Sequence, residues 1–445
     1  MSEIQTLRSI INDSLDIMQS ELNSANLPEF WVSIPEAHPA DAPDFLPSPR
    51  LCESRRILLA ALRMMATAIQ PPSEKIIEAG WCHQEASALT TAIKYNVAQD
   101  LCDASVDQEK GVEGAILASK YGLLPDEFTR VMRALAAKHY IRETSEGCFA
   151  ANRVSVALTP PNAAPRAAAY NGGFGLAVAT RLTDSLDIHE HRTAAQLAHG
   201  YDTDLFTFLT TNSKYFNIFT AAMTGTYDAT HASLMADYPW AELSSDTVVI
   251  DIGGGEGGLG MAIVKAFPHL KVINQDRPEV QAPAYKNWQS HIPDIFESGR
   301  IAFEPHNFFD PEPRKGAQYL CIIHDWPYDD CVAILNCLKS AMVPSSRLLI
   351  IENVVYPPVS PSAYVPFMLG SVNNRQAFKK ADTPWPLPNG SQVLELTHDY
   401  EMLSNFKAKE RTPSEWRSLL GDVGMKMVKI WPTRTPFSIV EAALE

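Results

Sequence analysis

Apolar residues recur at helical spacing along most of the chain before about residue 246. Residues 1–25 alternate charged and apolar positions in the manner of an amphipathic helix, and the run LCESRRILLAALRMMATAI is the clearest of several between 51 and about 105. Between these stretches, residues 27–50 are rich in proline, which favours an extended arm. The N-terminal part is therefore predicted to be helical, apart from this arm.

A helix, turn, helix and hairpin pattern occupies residues 111–155. The hairpin is formed by YIRET and CFAAN, with a turn at Ser145–Gly147. This winged-helix order is typical of DNA-binding modules. However, the second helix carries only Arg130, Arg133 and Lys138 as cations, and the chain has a net charge of −15. A structural or dimerising module is therefore favoured over DNA binding.

Short apolar runs separated by helical stretches fill the chain from about residue 246 onward. The strand-like runs are TVVIDIG, LKVINQD, RIAFEPH, AQYLCIIHD, SRLLIIENVV, GMKMVKIWP and FSIVEAALE. This alternation predicts an α/β domain whose mostly parallel sheet is covered on both faces.

The patterns divide the chain into three regions. An N-terminal helix and proline-rich arm is predicted at 1–50, a helical and winged-helix domain at 51–160, and the α/β domain at 161–445. Within the last region, residues 357–392 form a long proline-rich segment, and so long a loop is predicted to be either functional or disordered.

Composition excludes several classes of protein. An acidic chain, with a pI of about 5.3, repels nucleic-acid backbones, and no apolar run approaches the ~20 residues of a membrane span. The N-terminus lacks the basic start and apolar centre of a signal peptide. The cysteines are odd in number and include no CxxC pair, so we expect free thiols, no metal site and a cytoplasmic location. They are Cys52, Cys82, Cys102, Cys148, Cys321, Cys331 and Cys337.

The glycine-rich stretch DTVVIDIGGGEGG at 246–258 is a candidate cofactor site. Its glycines allow a tight turn and a close approach of backbone N–H groups to a ligand. Asp251 precedes them and Asp276 ends the next predicted strand, where a carboxylate can accept hydrogen bonds from ribose hydroxyls. Asp251 would repel a pyrophosphate, so S-adenosylmethionine (SAM) is favoured over NAD. A glycine turn without a ligand is the remaining alternative.

Three segments together resemble one enzyme family. They are VVIDIGGGEGG, LCIIHDWPYDDCVAIL, and LLIIENVVYP with the later FKAKERTPSEW. The chain resembles the caffeate-type group of class I SAM-dependent O-methyltransferases, especially fungal natural-product members, over roughly residues 105–445. The resemblance implies a Rossmann-like domain with a seven-stranded sheet and an N-terminal winged-helix domain that forms a homodimer. It also implies SAM as cofactor and an aromatic or polyketide-like small molecule as acceptor.

The resemblance assigns the catalytic base to His324, which follows the fourth strand of the sheet, with Glu352 and Glu410 beside it. A phenol has a pKa near 10 and is a poor nucleophile at neutral pH, so a neutral imidazole that takes its proton would activate it. A carboxylate beside the ring would orient it. Each residue also has a plain structural alternative: a histidine at a strand end, a solvated carboxylate, and a charge before the capping box TPSE at 412–415.

Further residues are expected to contact SAM or the methyl acceptor. Those expected to contact the acceptor could instead pack in the core. The expected cofactor contacts are Asp251, Gly253, Gly255, Asp276, Arg277, Asn307, Phe308 and His324. The expected acceptor contacts are Phe219, Met223, Asp325, Met402, Asn405 and Phe406.

The chain departs from the family pattern in three places. Asn307 stands where the family usually has an aspartate, Leu320 stands where it has lysine or arginine, and the 357–392 segment is longer than usual. These departures leave a second function open, because some fungal relatives of this fold use bound SAM as a fixed positive charge for dehydration or pericyclic rearrangement. The presence of His324, Glu352 and Glu410 favours methyl transfer. A winged-helix regulator without catalytic activity is disfavoured by the same residues and by the charge.

Overall fold

A computed structural model describes residues 2–103, 105–160, 162, 164–228, 230–245, 247–356 and 393–445. The predicted insertion at 357–392 lies outside the described residues. The chain divides into two compact units. We call Met1–Ser14, Pro47–Leu62 and Thr230–Glu445 the sheet unit, and Leu15–Leu46 with Arg63–Ala229 the helical unit.

The helical unit contains the predicted helix, turn, helix and hairpin. Its first helix, Gly114–Tyr121, is followed by Gly122, whose φ of 70° suits the residue after a helix end. The second helix, Pro125–Ala137, begins at a proline, which is favoured at the first helical position. The hairpin pairs with a short strand before the first helix, in the order β1-β3-β2. The strands are β1 (Val112–Glu113), β2 (Arg142–Ser145) and β3 (Cys148–Ala150).

Helices make up most of this unit. Two of them, Glu3–Ser24 and Pro49–Ile69, run across the division between the units. The others are Pro72–Gly80, Cys82–Lys94, Val97–Leu101, Gly114–Tyr121, Pro125–Ala137, Arg153–Ala157, Ala164–Tyr170, Leu176–Ala179, Leu182–Ser185, Ala194–His199, Leu205–Thr211 and Ser213–Asp228, with a π-helical turn at Asn171–Gly175.

Residues 164–228 belong to the helical unit by their contacts. The helix Ala164–Tyr170 packs against Ser213–Asp228 and against Cys82–Lys94. The sequence analysis had grouped this stretch with the catalytic domain, and the domain boundary at 160 stays a prediction.

The sheet unit is built on a seven-stranded sheet in the order β6-β5-β4-β7-β8-β10-β9. The first five strands in this order are parallel, and β10 pairs antiparallel with both β8 and β9. The predicted mostly parallel sheet is therefore confirmed. The strands are β4 (Val248–Ile252), β5 (Lys271–Asp276), β6 (Ile301–Pro305), β7 (Gln318–Cys321), β8 (Leu348–Asn353), β9 (Met425–Pro432) and β10 (Phe437–Leu444).

Apolar side chains cover both faces of this sheet. Ile250 and Ile350 belong to one buried cluster, while their neighbours Val249 and Leu349 belong to the other, as the two-residue alternation of a strand requires. Helices contribute further side chains to both clusters. They are His231–Asp237, Gly258–Ala266, Gln281–His291, Pro293–Glu297, Tyr328–Lys339 and Pro413–Asp422. The helix Val393–Phe406 also belongs to this unit.

All seven cysteines are free, which confirms the predicted thiols. Across the described ranges, no helix combines the length and the apolar character that crossing a bilayer would need.

Trp288 anchors the turn between β4 and its following helix, and it provides a test of the sheet unit's packing. Its ring is fully buried and its Nε1 donates to the carbonyl of Glu256 at 3.0 Å. We expect Trp288→Ala to lower the free energy of unfolding by about 3–5 kcal/mol in urea titration. Trp288→Phe, which keeps most of the ring contact, should cost clearly less. Equal losses in the two variants would contradict this packing role.

Candidate active site

The glycine loop follows β4 directly and turns through left-handed backbone conformations. Gly253, Gly255 and Gly257 have φ values of 69°, 56° and 74°, a region that side chains rarely adopt. At Gly254 the constraint is space instead, because an added Cβ would lie 2.0 Å from Asn274 Oδ1. Four of the five glycines in GGGEGG are therefore required by this turn, and at Gly254 the backbone comes close to the adjacent strand.

Two carboxylates lie beside the loop, and they fit the predicted cofactor. Asp251 is 5% exposed and its Oδ2 has no hydrogen-bond partner. Burial, together with the charge of Asp276, raises the pKa of Asp251 to about 7. Asp276 accepts from the backbone N–H of Gly255 at 2.8 Å and from that of Arg277 at 2.7 Å. A buried carboxylate with one oxygen lacking a hydrogen-bond partner suits a ligand with cationic groups, such as SAM, better than a pyrophosphate.

The remaining predicted cofactor contacts are only partly gathered at this loop. Phe308 lies within van der Waals distance of the Cβ position of Gly253, at 3.6 Å. Asn307 is exposed, and its Oδ1 accepts from the backbone N–H of Phe309 at 3.2 Å. Arg277 points to Glu279, 3.6 Å away, with both side chains largely exposed. The roles of Arg277 and Asn307 thus stay predictions without support from a shared contact.

Leu320 explains one departure from the family pattern. It lies on β7 beside Asp251 of β4 in parallel register, and it is 1% exposed in the apolar cluster that includes Val249. Here the position where relatives are expected to have a cation is part of the core.

The histidine predicted as a base meets one of its two predicted carboxylates. Strand β7 ends at Cys321, earlier than the sequence pattern suggested, and the chain leaves the sheet before His324. Nδ1 of His324 lies 2.8 Å from Oε1 of Glu410. The side chain of Glu410 is fully buried and that of His324 is 10% exposed.

Glu352 makes its hydrogen bond to the loop rather than to the ring. Its Oε1 accepts a hydrogen bond from the backbone N–H of Ile323, the residue before His324. Its Oε2 lies 4.0 Å from the guanidinium of Arg411. Burial raises the pKa of Glu352 to about 7. The predicted carboxylate is therefore in the cluster, where it holds the loop that carries the histidine.

Two residues that the sequence analysis missed complete the cluster. Nδ1 of His398 lies 2.7 Å from the same Oε1 of Glu410. Nδ2 of Asn353 lies 3.3 Å from that oxygen and 3.1 Å from Nδ1 of His398. Two features of the sequence could have pointed to them. Asn353 directly follows Glu352, and His398 begins the segment HDYEMLSNF, in which only acceptor contacts had been sought.

The cluster is strongly polarised. Burial lowers the pKa of His324, but the charges of Glu410 and Asp325 outweigh it and raise this pKa to about 10. Burial raises the pKa of Glu410, but His324 and His398 outweigh it and lower this pKa to about 2. At neutral pH the resting ring is therefore an imidazolium beside a carboxylate. The neutral imidazole invoked from the sequence is reached only by losing this proton.

Ligand atoms of His324, His398 and Glu410 all lie within 4.8 Å of one another. Hydrogen bonds from the two rings to one carboxylate oxygen account for this spacing. The sequence-based expectation that the enzyme has no metal site stays an expectation.

The expected acceptor contacts lie in both units, and their roles stay predictions. Asp325 Oδ1 is 3.8 Å from His324 Nε2. In the helix Val393–Phe406, Asn405 is buried and its Oδ1 has no partner, which suits a binding role. The same helix carries Met402, which is buried, and Phe406, which is partly buried.

Phe219 and Met223 lie in the helix Ser213–Asp228 of the helical unit. The ring of Phe219 meets Tyr170 edge-on at 5.5 Å, and Met223 is partly buried. These surroundings suit core packing, so the role of Phe219 and Met223 in binding the acceptor remains a prediction.

Gly254 gives a direct test of the cofactor loop. We expect Gly254→Ala to lower the affinity for S-adenosylhomocysteine at least tenfold, because the new Cβ displaces the loop from Asn274 and Asp251. Isothermal titration calorimetry measures this. Gly421→Ala is the matched control, since a Cβ there meets nothing within 4 Å. Unchanged affinity in Gly254→Ala would show that the loop does not hold the cofactor.

Comparison with known proteins finds similar O-methyltransferases. Residues 180–372 match the O-methyltransferase domain family. The chain is 27% identical to the O-methyltransferase tpcA of Aspergillus fumigatus over 98% of this chain and 95% of that protein. It is 29% identical to the 3-O-methyltransferase 2 of Phanerochaete chrysosporium over 86% of this chain and 85% of that protein.

Solved structures share the fold. The mitomycin 7-O-methyltransferase MmcR matches with a TM-score of 0.67 at 24% identity, over 84% of this chain and 98% of that one. LepI in complex with SAM matches with a TM-score of 0.70 at 21% identity, over 88% of this chain and 94% of that one. The matched domain and these relatives support a SAM-dependent O-methyltransferase, and the chain is similar to the caffeate-type class I group of these enzymes.

Proposed function

We propose that this enzyme methylates a phenolic or enolic hydroxyl of an aromatic or polyketide-like secondary metabolite, and that His324 takes the hydroxyl proton. The observation that carries the proposal is the 2.8 Å contact between His324 and a fully buried Glu410 just beyond the end of a central parallel strand. Reactive groups of open α/β sheets gather at this edge.

The hydrogen-bond pattern supports different roles for the two ring nitrogens of His324. An ionised carboxylate only accepts hydrogen bonds, so Nδ1 of His324 carries a hydrogen toward Glu410. Once the imidazolium has lost the hydrogen on Nε2, Nε2 is the atom that accepts the acceptor's proton. Because Glu410 holds the ring from the Nδ1 side, Nε2 is held in a fixed direction for this transfer.

SAM, when bound, supplies a methyl group on a cationic sulfur that an oxygen nucleophile attacks. The chain's own residues supply the environment of that nucleophile. Glu352 fixes the backbone N–H of Ile323, so the loop that carries His324 cannot shift without breaking a buried hydrogen bond. Asp251 leaves a buried carboxylate oxygen unpaired beside the glycine loop, where it would hold a cationic part of the cofactor.

The raised pKa of His324 favours acidic hydroxyl groups as acceptors. A phenol ionises near pH 10, and the ring's own pKa is about 10, so a proton shared between them costs little free energy. A more acidic enol would bind as an anion against the imidazolium. An ordinary alcohol is far less acidic and would hold its proton against this base.

A second function is supported by the same protonation state. An imidazolium at His324 could polarise a substrate carbonyl, as a dehydratase or pericyclase that binds SAM without consuming it would require. Two structures of the same fold are described as LepI with SAM and as a pericyclic reaction enzyme. Their likeness concerns the fold alone, and the relatives named O-methyltransferases favour methyl transfer.

The deciding experiment is incubation of the purified enzyme with methyl-labelled SAM and a small-molecule extract of the source organism. Label in a metabolite, with its mass raised by one methyl group, is the expected result, and it identifies the acceptor. Conversion of a metabolite to an isomer or a dehydrated product without label would overturn methyl transfer and support the second function.

Replacing the base should abolish turnover without loss of cofactor binding. We expect His324→Ala to lower kcat/KM by about 10²–10⁴-fold. The affinity for S-adenosylhomocysteine should change much less than this. His291→Ala is the control, since that exposed histidine lies outside the cluster and is hydrogen-bonded to a carbonyl of its own helix. Activity within threefold of wild type in His324→Ala would sink the proposed role.

Removing the charge of Glu410 should release the proton of His324 at lower pH. The negative charge raises the pKa of His324, so Glu410→Gln should lower that pKa from about 10 toward its ordinary value of about 6.5. NMR titration of ¹⁵N-histidine-labelled enzyme measures it, with His324→Ala to assign the signal.

The matched control is Glu415→Gln, which removes a nearby carboxylate that caps the following helix. It should leave the pKa of His324 unchanged. An unchanged pKa in Glu410→Gln as well would show that Glu410 does not control the ring.

A further inference from the structure

His398 is the group in this cluster to which neither the resemblance nor the proposed function gives a role. It lies in the helix Val393–Phe406, and its side chain is 29% exposed, against 10% for His324. Its Nδ1 is 2.7 Å from Glu410 Oε1, the oxygen that also receives His324 at 2.8 Å. The two ring centroids are 5.3 Å apart.

Both imidazoles must donate to this one oxygen. A carboxylate oxygen has no hydrogen to give, so at such distances Nδ1 of each ring carries the hydrogen. The amide Nδ2 of Asn353, 3.1 Å from Nδ1 of His398, then donates to Oε1 of Glu410 rather than to the ring. The other oxygen, Oε2 of Glu410, is buried without a hydrogen-bond partner. The stabilisation that Glu410 offers is therefore concentrated on Oε1 and is divided between His324 and His398, with Asn353 at 3.3 Å.

We propose that His398 is a positioning residue that sets the proton affinity of His324 by competing for the same oxygen of Glu410. A donor on Oε1 withdraws negative charge from the carboxylate, which then holds the imidazolium of His324 less strongly. His398 thus makes the base easier to deprotonate near neutral pH. This inference rests on the proposed function, in which His324 is the base.

Other charged groups also face His324, and they stay in place when His398 is changed. They are Asp325 on the same loop, Glu352 at the end of β8, Glu401 on the helix of His398, Glu410, and Arg411 beside Glu352. The net influence of the carboxylates raises the pKa of His324. A change in the pKa of His324 on replacing His398 is therefore measured against an unchanged contribution from these other groups.

The test compares variants that differ in one donor. His398→Phe keeps a ring but removes the donor, whereas His398→Asn can place an amide N–H near the position of Nδ1. We expect His398→Phe to raise the pKa of His324 by about one unit, measured by NMR titration of ¹⁵N-labelled histidine. His398→Asn should restore a pKa close to that of wild type.

The direction in which the pKa of His324 changes distinguishes a positioning role of His398 from a purely structural one. A higher pKa leaves less deprotonated His324 at neutral pH, so kcat/KM of His398→Phe should fall about tenfold there and recover as the pH rises. Mere disturbance of packing would lower the rate at all pH values. It would also affect His398→Asn as much as His398→Phe.

An unchanged or lowered pKa in His398→Phe, or equal pKa values in the Phe and Asn variants, would overturn the inference. If His398→Phe fails to fold, His398→Ala against His398→Asn makes the same comparison. The titration does not depend on turnover, so a failure of methyl transfer would overturn the proposed function while the pKa still decides the role of His398.

Discussion

The buried hydrogen bond between Glu410 and His324 is the interaction on which the rest of the site depends. A carboxylate with no exposed side-chain surface is tolerated only with partners that stabilise its charge. Those partners come from the loop after β7, from the end of β8 and from the helix Val393–Phe406. The sheet register and the position of that helix are therefore fixed together with the protonation state of His324.

The sheet and the glycine loop could be predicted from the sequence because their causes are local. Apolar runs such as TVVIDIG and LLIIEN lie on strands buried on both faces, and the run of glycines meets a turn where either backbone angle or space excludes side chains. The pattern overestimated β7, since the backbone N–H of Ile323 bonds to Glu352 instead of continuing the ladder. A long-range side-chain contact of this kind leaves no trace in local periodicity.

The histidine–carboxylate cluster was only half predictable. Resemblance pointed to His324, Glu352 and Glu410, but spacing along the chain could not tell that Glu410 touches the ring while Glu352 holds the loop. His398 escaped because a histidine on a partly exposed helix has no pattern that marks it. Leu320 was noted as a departure from the family pattern. Its burial, which only the structure shows, means that a cation at this position would lie in the apolar core.

The side chains of the cluster come from segments that lie far apart along the chain. His324 and Glu410 are separated by 86 residues, and Asn353 and Glu410 by 57. Closing such loops costs chain entropy, so contacts of this range form after the local helices and hairpins. Recovery of enzyme activity during refolding therefore reports the last stage in the assembly of the sheet unit, well after its secondary structure has returned.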